Sequence, residues 1–257
     1  MPRPVRLVSE VVLWTLIALV ALVNLAVYTN VVRGADPDSA PRARTATAVA
    51  RVAGTATPQP GPDNCPSRAP LEAELDDSDA LPGRFVPSQG CLHTSAWPLR
   101  SRVPFCEDGN ARDNCYASNP PTSGLHLPVQ GTVQLPDGSR MKLPPDPGVY
   151  GTAVPREAIP HIEEHGGVYA GYNCASSECE SAAAALRAVV ERENSLGWRV
   201  VASPDPDLPA DTLALAAWTR VDSFPVEDYS DERATRFIRA HSCRFDPEQF
   251  CRNRPLN

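Results

Sequence analysis

VYAGYNCASSECESAAAALRAVVERENSLGWRVVA, residues 168–202, holds two kinds of periodicity in one continuous run. Val168–Tyr172 is apolar and of strand length. Glu178–Glu193 then sets Ala184, Leu186, Val189 and Val190 at helical spacing, with Ser176 or Ser177 in place to cap its amino end. Gly197 ends that helix, and Trp198–Ala202 reads as a second strand. Strand, helix and strand in this order predict a βαβ unit, whose parallel crossover should be right-handed.

The flanking segments extend the pattern. Beyond the loop SPDPDLPAD, Leu213–Trp218 is another apolar run of strand length, and Asp231–Ala240 is a helix with Ala234, Phe237 and Ile238 on its inner side. Upstream, Thr132–Leu135 and Arg140–Leu143 flank Pro-Asp-Gly-Ser, a hairpin signal. Gly83–Val86 and Leu99–Val103 are short extended candidates. The expected architecture is α+β: a small mixed sheet with packed helices and a βαβ unit, without internal repeats.

The first quarter of the 257 residues has another character. Residues 11–32, VVLWTLIALVALVNLAVYTNVV, carry no charge and are long enough to cross a hydrocarbon core of roughly 30 Å as one helix. They exceed the usual apolar core of a cleavable leader, and no small-x-small cleavage site follows, so an uncleaved anchor is expected. Residues 33–62 are rich in Ala, Thr, Pro and Arg without an apolar period, and read as a disordered tether. Arginines flank both sides of the apolar run, so the charge rule leaves its direction open. Cysteine usage decides it: all eight cysteines follow the run, an even number suited to an oxidising compartment. Residues 1–10 would then be cytoplasmic and residues 63–257 an extracytoplasmic domain ordered in part by disulfides. That domain carries 18 basic and 28 acidic groups, which argues against nucleic acid or anionic lipid as its partner.

Three of the five histidines fall between Asn119 and Cys179. His161 and His165 stand at i and i+4, on one side of a helical turn, with Glu164 between them in the order H-x-x-E-H. Pro160 and Gly166-Gly167 leave room for little more than that turn. His126 ends the stiff turn Pro-Pro-Thr-Ser-Gly. Zinc or copper takes neutral imidazoles at about 2.0–2.1 Å, so a shared ion requires the three sets of ring nitrogens to approach within roughly 3–5 Å. The expected metal residues are therefore His126, His161, His165 and Glu164. His93 and His241 have no companion motif and read as surface or packing residues.

Several of these segments, PPTSGLH, PGVY, HIEEHGGVYAGY, YNC-x4-C and LALAAW, resemble the bacterial family of domains of unknown function 3105, often found behind a single transmembrane helix. The likeness runs from about Cys115 to Glu248 and implies the architecture above, but no established activity. Residues 63–114 are not matched to its pattern.

Other chemistries are weighed against metal binding. The reversed zinc-peptidase motif H-x-x-E-H sits inside a long helix, which Pro160 and Gly166 forbid here. Cys174 and Cys179 flank a helix start, which favours a thiolate, yet four residues separate them where thioredoxin-type enzymes have two. A thiol-disulfide oxidoreductase is thus one alternative, and a plain Cys174–Cys179 disulfide is expected. For the other cysteines near neighbours are favoured, such as Cys106 with Cys115 and Cys243 with Cys251. Ser123 lacks a nucleophile elbow, and Asp205, Asp207 and Asp211 depart from a calcium loop and read as loop and strand-capping residues. The remaining alternative is a structural or interaction module of the cell envelope, with the histidines fixing turns.

Overall fold

A computed structural model describes residues 75–110, 112 and 114–251. The apolar run at 11–32 and the tether at 33–62 lie outside them. None of the described helices is long and apolar enough to cross a membrane.

In chain order the elements are β1 (Arg84–Phe85), β2 (Cys91–His93), β3 (Gly124–His126), β4 (Gly131–Gln134), β5 (Arg140–Leu143), β6 (Gly148–Val149), α1 (Ile159–Glu164), β7 (Val168–Asn173), α2 (Ser177–Ser195), β8 (Val200–Pro204), β9 (Thr212–Ala217), β10 (Arg220–Pro225) and α3 (Asp231–His241). Six strands form one mixed sheet in the order β1-β10-β9-β7-β8-β6. β7 and β8 pair in parallel, with α2 as the connection between them, so the βαβ unit is present. β9 lies antiparallel against the other side of β7. Apart from this sheet, β2 and β3 form a parallel pair and β4 and β5 the expected antiparallel hairpin.

Strand alternation divides the core between the two faces of the sheet. Val168, Ala170 and Tyr172 of β7 pack with Leu186 and Val190 of α2 and with Phe237 and Ile238 of α3. Tyr169 turns the other way, into a second core with Ile159 and Ile162 of α1, Leu127 and Leu143. The long helices thus cover one face. The short helix and the end of β3 lie on the opposite face, where the histidines of interest are found.

Local signals act as expected at α2, whose amino end is capped by Ser176, its hydroxyl accepting from Cys179 N at 3.2 Å. One inward assignment shifts by a residue: Ala183 is buried and Ala184 exposed. Leu99–Val103 forms no strand. β10 was not foreseen, for two reasons. Its turn from β9 runs through Trp218-Thr219, with Thr219 at φ 64°, and so lacks the Asn-Gly or Gly-x signal of a tight hairpin. Its first residue, Arg220, looks solvent-facing in sequence but is buried, where its guanidinium donates to the carbonyls of Gly83, Asp76 and Ser78 at 3.0, 2.8 and 2.8 Å.

The disulfides Cys106–Cys115, Cys174–Cys179 and Cys243–Cys251 have Cα separations of 5.1, 5.1 and 5.8 Å, the three short pairings expected. Cys91 is disulfide-bonded as well.

Candidate metal centre

His126 is the last residue of β3, and the turn before it is held from several sides. Ser123 Oγ accepts from Gln89 N at 2.9 Å, which is turn chemistry and not that of a nucleophile. Thr122 O accepts from Thr219 N at 3.1 Å, tying the turn to the main sheet. The parallel register β2/β3 sets Cys91 opposite Gly124 and His93 opposite His126. His93, set apart by its sequence context, therefore belongs to the cluster: its ring meets that of His126 edge-on, with centroids 4.9 Å apart. The signal that could have found it is the matching pair of tripeptides, Cys-Leu-His at 91–93 and Gly-Leu-His at 124–126.

α1 is six residues long, with Pro160 in its first turn and His165 as its carboxyl-terminal cap. The Gly166-Gly167 stop is required by space. Gly166 has φ +74°, and a Cβ at Gly167 would stand 2.7 Å from Ile162 O. This leaves His161 and His165 with their Nε2 atoms 3.1 Å apart.

Backbone carbonyls orient two of the rings. His126 Nδ1 donates to Gly124 O at 2.9 Å, and His161 Nδ1 donates to Leu127 O at 2.6 Å. A histidine whose Nδ1–H is committed to a carbonyl offers its Nε2 lone pair to a cation, the arrangement typical of metal-ligating histidines. Both Nε2 atoms point into the cluster. His126 Nε2 lies 3.3 Å from Glu164 Oε2, and His161 Nε2 faces His165. A lone pair opposite a carboxylate oxygen is repulsive unless a proton or a metal ion sits between them.

Electrostatics favour the ligand state of the pair in α1. Burial pushes the His161 imidazole down to about 4 and that of His165 down to about 3, the latter helped by the neighbouring His161. Both are neutral near pH 7. His126, His161, Glu164 and His165 are 0, 4, 2 and 8 % exposed, so four ionisable side chains share a site almost closed to water. Glu163 is also buried, neither oxygen has a hydrogen-bond partner among the described residues, and burial alone pushes its carboxyl well above the usual carboxylate range.

The three imidazoles do not form one coordination sphere. Ligand atoms of His161, Glu164 and His165 lie within 4.8 Å of one another, and so do those of Cys91, His126 and Glu164. Glu164 belongs to both groups, and His126 reaches the α1 pair through it, its ring 5.2 Å from that of His161. Sequence reasoning also missed Glu248. The carbonyl of Gly166 accepts from Cys243 N at 2.8 Å and so docks the tail against α1, placing Glu248 Oε2 3.2 Å from His165 Nε2 and the Phe250 ring on His165 with centroids 4.1 Å apart. A cavity of about 310 Å³ lined by Val129, Lys142, Ile162, His165, Arg199 and Phe250 reaches this edge of the cluster.

The rival sites resolve into structure. Asp211 braces the turn that leads into α2, accepting from the nitrogens of Ala175 and Ser176 at 2.9 and 2.8 Å, and Asp207 pairs with Arg102 and Arg156. Cys179 is fully buried, so the Cys174–Cys179 bond fastens the end of β7 to α2 with one sulfur out of reach of a partner.

Fold and site together define an α+β domain that encloses a histidine–carboxylate cluster between one short helix and a parallel strand pair. The chain belongs to the family described as Protein of unknown function (DUF3105), whose family model matches residues 110–253. His126, α1 and Glu248 lie inside the match, whereas Cys91 and His93 precede it. No curated protein and no solved structure matches the chain.

Proposed function

We propose that this chain is a membrane-tethered, extracytoplasmic domain that binds a transition-metal ion, zinc or copper, through His161, His165 and Glu164, with His126 completing the cluster from across Glu164. The observation that carries the reading is the pair of Nε2 atoms 3.1 Å apart, beside a buried carboxylate. Bonds of about 2.0–2.1 Å in a tetrahedral sphere put ligand nitrogens about 3.3 Å apart, close to the spacing found here. The six-residue α1 is too short to hold the long-helix geometry of a zinc peptidase, which favours storage, delivery or sensing over turnover. The apolar run at 11–32 supports the tether and the cysteine content supports the outward address.

Titration calorimetry with zinc and with cuprous ion on the full chain, purified in detergent without a histidine tag, tests the reading. Wild type should bind at least one of the two. His161→Ala and His165→Ala should each abolish that binding or weaken it more than about 100-fold, and His126→Ala, which removes a partner of Glu164, should weaken it about 10–100-fold. A wild-type protein that binds neither ion would leave the histidines as turn-fixing groups of a structural envelope module, a role that the same Nδ1 hydrogen bonds to carbonyls would serve.

A further inference from the structure

The group Cys91, His126 and Glu164 is more than an extension of the α1 pair. Cys91 Sγ lies 3.0 Å from Glu164 Oε1 and 3.9 Å from His126 Nε2, and the other carboxylate oxygen, Oε2, lies 3.3 Å from that Nε2. A tetrahedral ion with bonds of about 2.0–2.3 Å sets its ligand atoms about 3.3–3.6 Å apart. One ligand atom from each of the three residues already lies within 4.8 Å of the other two, so side-chain adjustment can bring them onto one ion. Cys91 is nevertheless disulfide-bonded, and a disulfide sulfur carries neither the charge nor the proton of a thiol. At 3.0 Å from a buried carboxylate it is a contact without an electrostatic gain.

We infer that reduction of the Cys91 disulfide creates a second metal position, Cys91–His126–Glu164, adjoining the His161–Glu164–His165 position and sharing Glu164 with it. The inference rests on the proposed function in one respect, the sharing of Glu164. A dithiol supplies the electrons: the Cys91 S–S bond breaks, two protein thiols form, and the dithiol closes to its own disulfide. When a divalent ion binds, the Cys91 thiol proton leaves to solvent and the thiolate takes its place on the metal. Thiolate, imidazole and carboxylate together suit a borderline or soft cation such as zinc, and not magnesium or calcium. Cys91 is half-buried, so a small reductant has a route to it. The donors come from two parts of the chain: His126 and Glu164 lie within the family match and Cys91 outside it.

Cobaltous ion, a spectroscopic stand-in for zinc, separates the two positions on the full chain in detergent. Protein is compared as purified and after anaerobic dithiothreitol treatment with the reductant removed. Reduced wild type should bind one more equivalent than oxidised wild type and gain a near-ultraviolet thiolate-to-cobalt band. Reduced Cys91→Ser should show neither, although its other cysteines are thiols too, whereas reduced Cys174→Ser/Cys179→Ser should show both. Far-ultraviolet circular dichroism on each sample checks that the fold is kept. No added equivalent in reduced wild type, or a band that survives in Cys91→Ser, overturns the inference. Oxidised protein that binds no cobalt while reduced protein binds one ion through Cys91 refutes the His161–His165 reading and leaves the thiolate position standing.

Discussion

His241 stands apart from the cluster and shows what burial does to an imidazole in this fold. Its Nε2 donates to Pro82 O at 2.8 Å, its Nδ1 is buried without a partner among the described residues, and burial pushes its pKa down to about 4. In the unfolded chain the value is about 6.5, so below that pH the unfolded state binds a proton that the folded state refuses. Stability from this residue is complete above about pH 6.5 and is lost as pH falls toward 4, a difference on the order of 3 kcal/mol. His161 and His165 act with the same sign, while Asp205, pushed up to about 6 by burial, acts oppositely. All three are unchanged in His241→Gln, which keeps a donor for Pro82 and removes only this titration. Urea unfolding at about pH 7 and about pH 4.5 should show a smaller acid loss in the variant, by about 2 kcal/mol. An equal loss in both proteins would mean that His241 takes up its proton as readily in the fold as in the unfolded chain.

At the scale of elements, α1 and the tail work as one unit. The tail leaves α3, meets Gly166 through Cys243 N, and returns to put Glu248 and Phe250 on His165. The Cys243–Cys251 bond, eight residues apart in sequence, holds that return. Loop-closure entropy assigns such a bond about 2–3 kcal/mol, and its loss also frees the cover over His165. Cys243→Ser/Cys251→Ser should therefore lose about that much stability in denaturant titration, and its metal on-rate should rise because the edge of the cluster is open. A stability within about 0.5 kcal/mol of wild type would show that packing alone seats the tail.

At the scale of the molecule, the proposed address makes its own prediction. A reporter fused after Asn257 should be active when it is of a type that works only outside the cytoplasm, and silent when it works only inside. The reverse pattern would remove the tether and the oxidising compartment from the proposal together. It would also change the meaning of Cys91, since a reducing cytosol would keep the second metal position open at all times.

What the sequence by itself determined is what local physics controls. Helices α2 and α3 are legible because capping serines, acidic first turns and a 3.6-residue apolar period sit within one stretch of chain. The βαβ unit follows from their order, the short disulfides from their short loops, and the His161–His165 pair from one helical turn. The tertiary structure alone decided the rest. β10 depends on Arg220, whose burial is offset by carbonyls 137 to 144 residues away. The grouping of His126 depends on a parallel strand pair that brings Cys91 and His93 beside it across more than thirty residues. Glu164 becomes a shared ligand candidate because β3 and α1 pack on the same face of the sheet. Such contacts leave no period in the sequence, since each partner reads locally as an ordinary turn, strand or tail residue. They exist only because burying the apolar faces of separate elements forces their polar ends into one enclosed place.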